Sequence, residues 1–282
     1  MASLGSSKTH TGSLSTAVKA EQGFFTPKTP AADSGLSLFR RFERMPPSWT
    51  AFQQKIDHLG KDSKDLKVVY FVRHAQGLHN VARQKYGSER WEEIARSDEY
   101  LDPDLTPLGV EDTKTKGPPS VQAELERGMP PLERVVVSPL SRAIQTAQTF
   151  FAKDQVPNQR FLCMENCREI LDCCTFDKRR PVSVIRQKFP DVDVSSVKDE
   201  EDLQWSPTHY ETPEEISARA KLFLSELFDM VPERYVVVVS HVCFIQAVYA
   251  VTTGTELPRL DNCDVVPLVL EAVSSSEREP SF

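Results

Sequence analysis

The run Val68-Val69-Tyr70-Phe71-Val72-Arg73-His74-Ala75-Gln76 constrains this chain more than any other stretch. Its unbroken apolar start, β-branched and aromatic with no polar alternation, predicts a strand buried on both faces. The run then stops at a permanent cation and an imidazole. In open α/β sheets ligands bind at the carboxyl ends of strands, so a strand ending here presents both side chains to a site. Arginine's fork of donors suits phosphate or carboxylate, and histidine can serve as nucleophile, base or ligand. Taken alone, the run reads more readily as a strand leaving the core through polar residues, and the rest of the chain decides between the two.

Residues 134–137, 161–164, 235–239 and 265–270 repeat the apolar, β-branched pattern, and helical segments separate them. Helices are expected from Leu78, over 91–95, from Thr106, from Ser141 to Ala152, over 182–189, over 213–230 and over 243–253. Thr106 before Pro107 and Thr212 before Pro213 are helix starts, with a hydroxyl as N-cap and proline in the first turn. Glu214 and Glu215 then face the positive end of a helix dipole. Lys116-Gly117-Pro118-Pro119 is expected to interrupt the helix begun at Thr106, giving a second segment over 120–127. Strand and helix alternate, which implies a layered α/β fold with parallel pairing.

Two of these strands end in histidine, Arg73-His74 and Ser240-His241, and Arg142 follows a third strand closely. Parallel strands share one carboxyl edge, so these side chains can converge. Two histidines and two arginines in one pocket favour an anion with several oxygens, phosphate above all. The net charge of −7 argues against general nucleic-acid binding, which needs a basic face. No apolar run approaches the roughly 20 residues that span a bilayer, and residues 1–20 lack the apolar core of a secretory signal. The six cysteines show no paired framework. Cys163, Cys167, Cys173 and Cys174 have neither Cys-x-x-Cys spacing nor a nearby histidine, so reduced thiols are expected rather than zinc ligands.

In this order the residues resemble the histidine phosphatase (phosphoglycerate mutase-like) superfamily over residues 67–270. The family's first motif, Arg-His-Gly with Glu or Gln and later Asn, stands here as Arg73-His74-Ala75-Gln76 with Asn80. Leu105-Thr106-Pro107-Leu108-Gly109 resembles its Leu-Thr-x-x-Gly helix start. Ser138-Pro139-Leu140-Ser141-Arg142-Ala143 resembles its second arginine motif, and Ser240-His241 its second histidine. The resemblance implies a three-layer α/β/α fold with a mostly parallel central sheet, and phosphoryl transfer without metal or cofactor. It implies that His74 attacks phosphorus, and that Arg73, Arg142, His241 and Asn80 hold the phosphate. One branch keeps its proton donor directly after the second histidine, where this chain has Val242. The other branch uses a Glu after the third strand, which matches Glu169, with Asp172 as the alternate. Glu169 can equally be an ion-pair partner of Arg168 or Arg142. Ala75 replaces the usual glycine and would be strained if the backbone there needs a positive φ. His79 is expected at a helix surface or rim.

The catalytic domain is expected over 65–272, with a lid insertion at 172–212 and a frayed tail at 273–282. Residues 1–64 read as a flexible start and then, from about Gly23, an arm that packs on the domain, its apolar residues being Phe24, Phe25, Leu36, Leu38, Phe39, Phe42, Trp49, Phe52 and Ile56. A short helix is expected over 48–59. Lys178, Arg179 and Arg180 either reach over the pocket to a second anionic group or form a solvated charge run. With Gln76 and Trp205 they are the candidate specificity residues, and Tyr210 can add to an apolar wall. A cytosolic or nuclear phosphohydrolase of a small phosphate ester is the main expectation. A phosphoglycerate-mutase-type phosphotransferase and a weakly active phosphatase-like binding module are the alternatives. The only expected partner is the small phosphorylated substrate, with neither nucleic acid nor membrane.

Overall fold

In the computed structural model, which describes residues 16–30, 36–61, 65–156 and 161–273, the chain joins the main sheet at once. β1 (Ala17–Ala20) is followed by the two-stranded pair β2 (Phe25–Pro27) and β3 (Phe42–Arg44), and then by helix α1 (Trp49–Gly60). β4 (Asp65–Arg73) leads into α2 (Leu78–Tyr86), α3 (Ser88–Ile94) and the long α4 (Pro107–Glu126). Next come β5 (Arg134–Val137), α5 (Ser141–Phe150), β6 (Phe161–Cys163), α6 (Val182–Lys188) and β7 (Val192–Asp193). The chain closes with α7 (Pro213–Met230), β8 (Tyr235–Ser240), α8 (Val242–Thr253) and β9 (Val265–Val273).

Seven strands form one sheet in the order β1-β9-β4-β8-β5-β6-β7. β4, β8, β5, β6 and β7 run parallel; at one side β9 is antiparallel to β4, and β1 is antiparallel to β9. α4 packs on α5 and α7 on α8, and the helices cover both faces of the sheet. This is the α/β/α arrangement that the alternation and the resemblance imply. The covered faces explain the unbroken apolar strands: residues 66–73 of β4 are all buried, as are 236–240 of β8. Each such valine or phenylalanine contributes about 1.5–3 kcal/mol by leaving water. No helix among the described residues is long and apolar enough to cross a membrane.

Register determines where the strands stop. Arg73 lies opposite Ser240, and Val137 lies opposite both Val239 and Cys163. Two further bonds extend the ladder past the strand ends, His74 N–H to the Ser240 carbonyl at 2.9 Å and Ser138 N–H to that of Val239 at 3.0 Å. His74, Ser138 and His241 therefore leave the sheet side by side.

Local chemistry starts the helices as the sequence suggests. The Thr106 hydroxyl accepts from Gly109 N–H at 2.9 Å, with Pro107 first in α4. Thr212 and Glu215 form a reciprocal capping box at α7. The expected break at 116–119 does not occur, because α4 continues through Pro118 and Pro119. Ser120 Oγ bonds the Gly117 carbonyl within the helix at 2.8 Å, and a tertiary contact holds the turn in place, Gln155 Nε2 donating to the Pro118 carbonyl at 2.9 Å. The start of the chain also differs from expectation, since Ala17–Ala20 is a sheet strand rather than part of a loose leader. Residues 1–15 of that leader, and 274–282 of the expected tail, lie outside the described residues.

Gly117 is where α4 meets α5. A Cβ there would stand 2.5 Å from the Phe150 carbonyl oxygen and 2.7 Å from its Cα. Overpacking against backbone costs about 1–3 kcal/mol, more than the roughly 1 kcal/mol that alanine gains over glycine in a helix. Gly117→Ala is accordingly expected to lower the urea midpoint, and a midpoint equal to or above wild type would refute the close packing.

Candidate active site

The main-chain ladder delivers His74 to the sheet edge with its ring already oriented. His74 Nδ1 lies 2.6 Å from the Ala75 carbonyl oxygen. A carbonyl only accepts, so Nδ1 carries the proton and the lone pair sits on Nε2. Burial, and then the Arg142 and Arg73 charges, push this imidazole well below its ordinary 6.5. It is therefore neutral, as a nucleophile must be. The His241 ring lies 4.9 Å from that of His74, and its Nε2 is 2.8 Å from Ser138 Oγ. With the Ser138 hydroxyl donating to Nε2, the His241 proton sits on Nδ1.

Both arginines are held by protein carbonyls. Arg73 Nη1 donates to the Leu260 carbonyl at 2.6 Å. Arg142 opens α5, and its neighbour Ser141 is clasped by the buried Asp102 carboxylate, which accepts from the Ser141 N–H and hydroxyl at 2.7 Å each. Asp102 adopts φ 45°, a conformation that costs a non-glycine residue about 1–3 kcal/mol. Arg142 Nη1 donates to the Phe176 carbonyl and Nη2 to Asp177 Oδ1 at 2.6 Å.

Six buried donor atoms have no hydrogen-bond partner among the described residues, and besides Tyr70 Oη and Arg168 Nε they are Arg73 Nε, Arg142 Nε, His79 Nδ1 and His241 Nδ1. Each unmatched buried donor costs about 1–3 kcal/mol. Arg73 and Arg142 both act on His74, and Arg142, His74 and His79 all act on His241, so these last four atoms surround one space. Their joint deficit has the form of an anion with several acceptor oxygens.

Ala75 requires no special backbone. Among the described residues only Asp102 and Cys263 are non-glycines with positive φ. Ala75 is fully buried, with its N–H on Thr146 Oγ1 at 3.0 Å, so the strain considered for it does not exist. His79 is not a surface residue, as its helical position suggested. It is buried, its ring lies 5.6 Å from that of His74, and it stacks on Phe176 at 5.1 Å, which in turn stacks on Trp91 at 5.7 Å. Asn80 points into its own turn: Oδ1 accepts from Gly77 N–H at 2.9 Å and Nδ2 lies 3.0 Å from His79 Nε2. One amide hydrogen of Asn80 is left for a ligand. Gln76 is tied to α4, with Oε1 accepting from the Thr106 hydroxyl at 2.8 Å.

Glu169 is buried beside the start of α8, where its Oε1 accepts from Ile170 N–H and Cys243 N–H, each at 3.0 Å, leaving Oε2 unengaged by these bonds. It lies within electrostatic reach of both Arg73 and Asp177. Its neighbour Arg168 is used elsewhere: fully buried, it grips Asp202 through both terminal nitrogens and donates to the Asp177 carbonyl. Arg219 Nη2 holds the Glu169 carbonyl at 3.0 Å. The alternate acid, Asp172, accepts from Cys174 N–H at 2.6 Å.

The lid cations do not converge on the pocket. Arg179 is buried and faces inward, with all its donors on Glu165 and on the carbonyls of 180 and 199–201. It is a brace of the lid and not a substrate contact. Lys178 lies 4.8 Å over the Trp205 ring, and Arg180 donates to the Leu101 carbonyl at 2.9 Å. Trp205 Nε1 is bonded to the Cys174 carbonyl at 3.1 Å, and Tyr210 is exposed. The lid enters the site through Phe176 and Asp177 instead. Burial, opposed by Arg142 and reinforced by Asp172 and Glu169, pushes the Asp177 carboxyl up. Sequence reasoning passed over Asp177 because it stands in a run read for its cations. Asp102 and Ser138 were missed because their partners are distant in sequence or visible only in three dimensions.

Comparison with known proteins gives the family. Residues 69–281 match the histidine phosphatase superfamily (branch 1), and the chain belongs to that family. A phosphoglycerate mutase-like protein of Arabidopsis thaliana is 31% identical over 204 residues, covering 64% of this chain and 72% of the relative. A probable phosphoglycerate mutase of Arthroderma benhamiae is 25% identical over 259 residues, covering 88% of this chain and 76% of the relative. Among solved structures, the ecdysone phosphate phosphatase of Bombix mori in complex with tungstate aligns with a TM-score of 0.48 at 15% identity, covering 77% of this chain and 95% of that one.

His74, His79 and His241 are all buried and held well below 6.5. In the unfolded chain each titrates near its ordinary value, so below about pH 6.5 the unfolded state binds more protons and stability falls with falling pH. Asp177 has the opposite sign, since its raised value stabilises the fold as pH falls. The diagnostic quantity is thus a difference in slope. Between about pH 7 and pH 5 the thermal midpoint of His79→Gln is expected to fall less steeply than that of wild type. Parallel slopes would mean that His79 is not a buried neutral base.

Proposed function

We propose that the chain is a phosphoric monoester hydrolase that works through a phosphohistidine on His74 and acts on a small phosphate ester. The observation that carries this reading is the set of four unmatched buried donors around a neutral imidazole whose Nδ1 is tied to the Ala75 carbonyl. The His74 Nε2 lone pair attacks phosphorus as the bond to the ester oxygen breaks. That oxygen takes its proton from Glu169 Oε2. Water then attacks phosphorus, gives its proton to the Glu169 carboxylate, and the P–N bond breaks to release phosphate and restore His74. Arg73, Arg142 and His241, with the remaining Asn80 hydrogen, neutralise the phosphoryl oxygens, and positioned charge of this kind is the main source of catalysis in phosphoryl transfer. That neutralisation is assigned to protein groups rather than to a metal.

The names of the relatives favour a second reading, a phosphoglycerate-mutase-type phosphotransferase. Such an enzyme must retain a bisphosphorylated intermediate and so needs cations for a second phosphate. In the lid Arg179 is consumed internally, Lys178 rests on Trp205 and Arg180 is turned to Leu101, which favours hydrolysis. All six cysteines are unpaired, consistent with a reducing compartment such as cytosol or nucleus.

Purified protein offered an aryl phosphate and a panel of sugar and glycolytic phosphates is expected to release inorganic phosphate. His74→Ala should abolish turnover, and Glu169→Gln should lower it by about a hundredfold or more for esters with poor leaving groups, in keeping with general-acid contributions of 10²–10⁴. Turnover surviving in His74→Ala would sink the mechanism, and isomer exchange without phosphate release would establish the mutase reading.

A further inference from the structure

We propose that Arg40 and Arg41, in the segment that precedes the catalytic domain, are positioning residues for Arg73 and His74, acting through the 260–264 loop; this inference rests on the phosphatase reading above. Arg40 Nε donates to Asp264 Oδ1 at 3.1 Å and its Nη2 to Asp261 Oδ2 at 3.1 Å. Arg41 Nε donates to Asp264 Oδ2 and its Nη2 to Asp261 Oδ2 at 2.7 Å. Two guanidinium forks thus close on the same two carboxylates. The Asp264 side chain is 1% exposed, so its charge depends on this pairing, whereas that of Asp261 is 65% exposed.

The clasped loop is the one that holds the catalytic strand end. Its Leu260 carbonyl accepts from Arg73 Nη1 at 2.6 Å, and Asn262 Nδ2 donates to the His74 carbonyl at 2.8 Å. Arg73 exchanges main-chain bonds with it, N–H to the Asp264 carbonyl at 3.0 Å and carbonyl from Cys263 N–H at 3.1 Å. Internally the loop is bound by Asp264 itself, whose Oδ2 accepts from Asp261 N–H at 2.7 Å, and it contains Cys263 at φ 63°. A loop of this shape, with a left-handed non-glycine residue, needs outside support. The arginines can provide it because their own segment is anchored: Leu38, Phe39 and Phe42 are buried, and the Phe39 ring lies 5.7 Å from that of Tyr70 in β4. The path from arm to nucleophile is a continuous set of bonds, four ion pairs to the loop and then one bond each to the Arg73 side chain and the His74 carbonyl.

The test uses the full chain, with Arg40→Ala/Arg41→Ala, Arg40→Lys/Arg41→Lys and the gentler Asp261→Asn, whose exposed side chain keeps its shape. Asp57→Ala, which removes an exposed pair with Arg234 at 3.6 Å, serves as the control. For the double alanine variant kcat on an aryl phosphate should fall about tenfold or more, since small displacements of catalytic groups are costly. The dissociation constant for inorganic phosphate, read by calorimetry, should rise severalfold. Asp261→Asn should change both in the same direction but less, the lysine pair should recover part of the loss, and Asp57→Ala should change neither. Unchanged kcat and phosphate affinity in both Asp261→Asn and the double alanine variant would overturn the positioning role, whatever happens to the thermal midpoint. If the double variant does not fold, unchanged values in Asp261→Asn alone overturn it. A wild type that binds phosphate but hydrolyses no ester would instead overturn the phosphatase reading, and weakened phosphate binding in the variants would still support the clamp.

Discussion

The pairing of β4 with β8, Arg73 opposite Ser240, is the constraint on which the rest of the molecule depends. Because the two strands are parallel and in this register, the next residue of each is a histidine, and the two rings meet at 4.9 Å. A slip of one residue would turn one ring to the other face of the sheet. The register is maintained by the apolar run on either side, since both strands are buried and any shift would move valines out of packed positions. The same contacts that fold the sheet therefore set the spacing of the proposed nucleophile and its partner.

Around this pair the protein concentrates positive charge in a buried place, which is costly unless carbonyls and carboxylates take the remaining donors. Arg73 leans on Leu260, Arg142 on Phe176 and Asp177, and Arg168 on Asp202. In each case some donors are consumed by the protein, while the Nε of all three has no partner among the described residues. The polar residues of the lid have two distinct uses. Arg168 and Arg179 bind it together from inside, and Phe176 with Asp177 forms the part that touches the second arginine and stacks on His79.

Much of this was legible before any coordinates. The strands, most helices and the caps at Thr106 and Thr212 follow from local chemistry, and Arg73, His74, Arg142 and His241 were recognisable as a group that one edge would collect, while Glu169 was marked only by the family resemblance. Elements that depend on distant partners were not. α4 survives Pro118 and Pro119 because α5 and Gln155 support it from elsewhere in the chain. Ala75 looked strained against a glycine motif, yet its φ is ordinary. Arg179 was read either as a cation reaching over the pocket or as part of a solvated charge run, whereas Glu165 and four carbonyls draw it inside.

By itself, then, the sequence determined the alternation of buried strands with helices and placed two histidines and two arginines at strand ends, because apolar periodicity and capping are properties of adjacent residues. Only the tertiary structure decided which charges are spent on one another and which stay available. The burial of His79, the grip of Asp177 on Arg142, the clasp of Asp102 on Ser141 and the tie from Arg40 and Arg41 to the loop behind His74 are all of this kind. Each depends on a partner tens to hundreds of residues away, and ion pairing inside a fold is governed by distance in space and by desolvation, neither of which is written in local order.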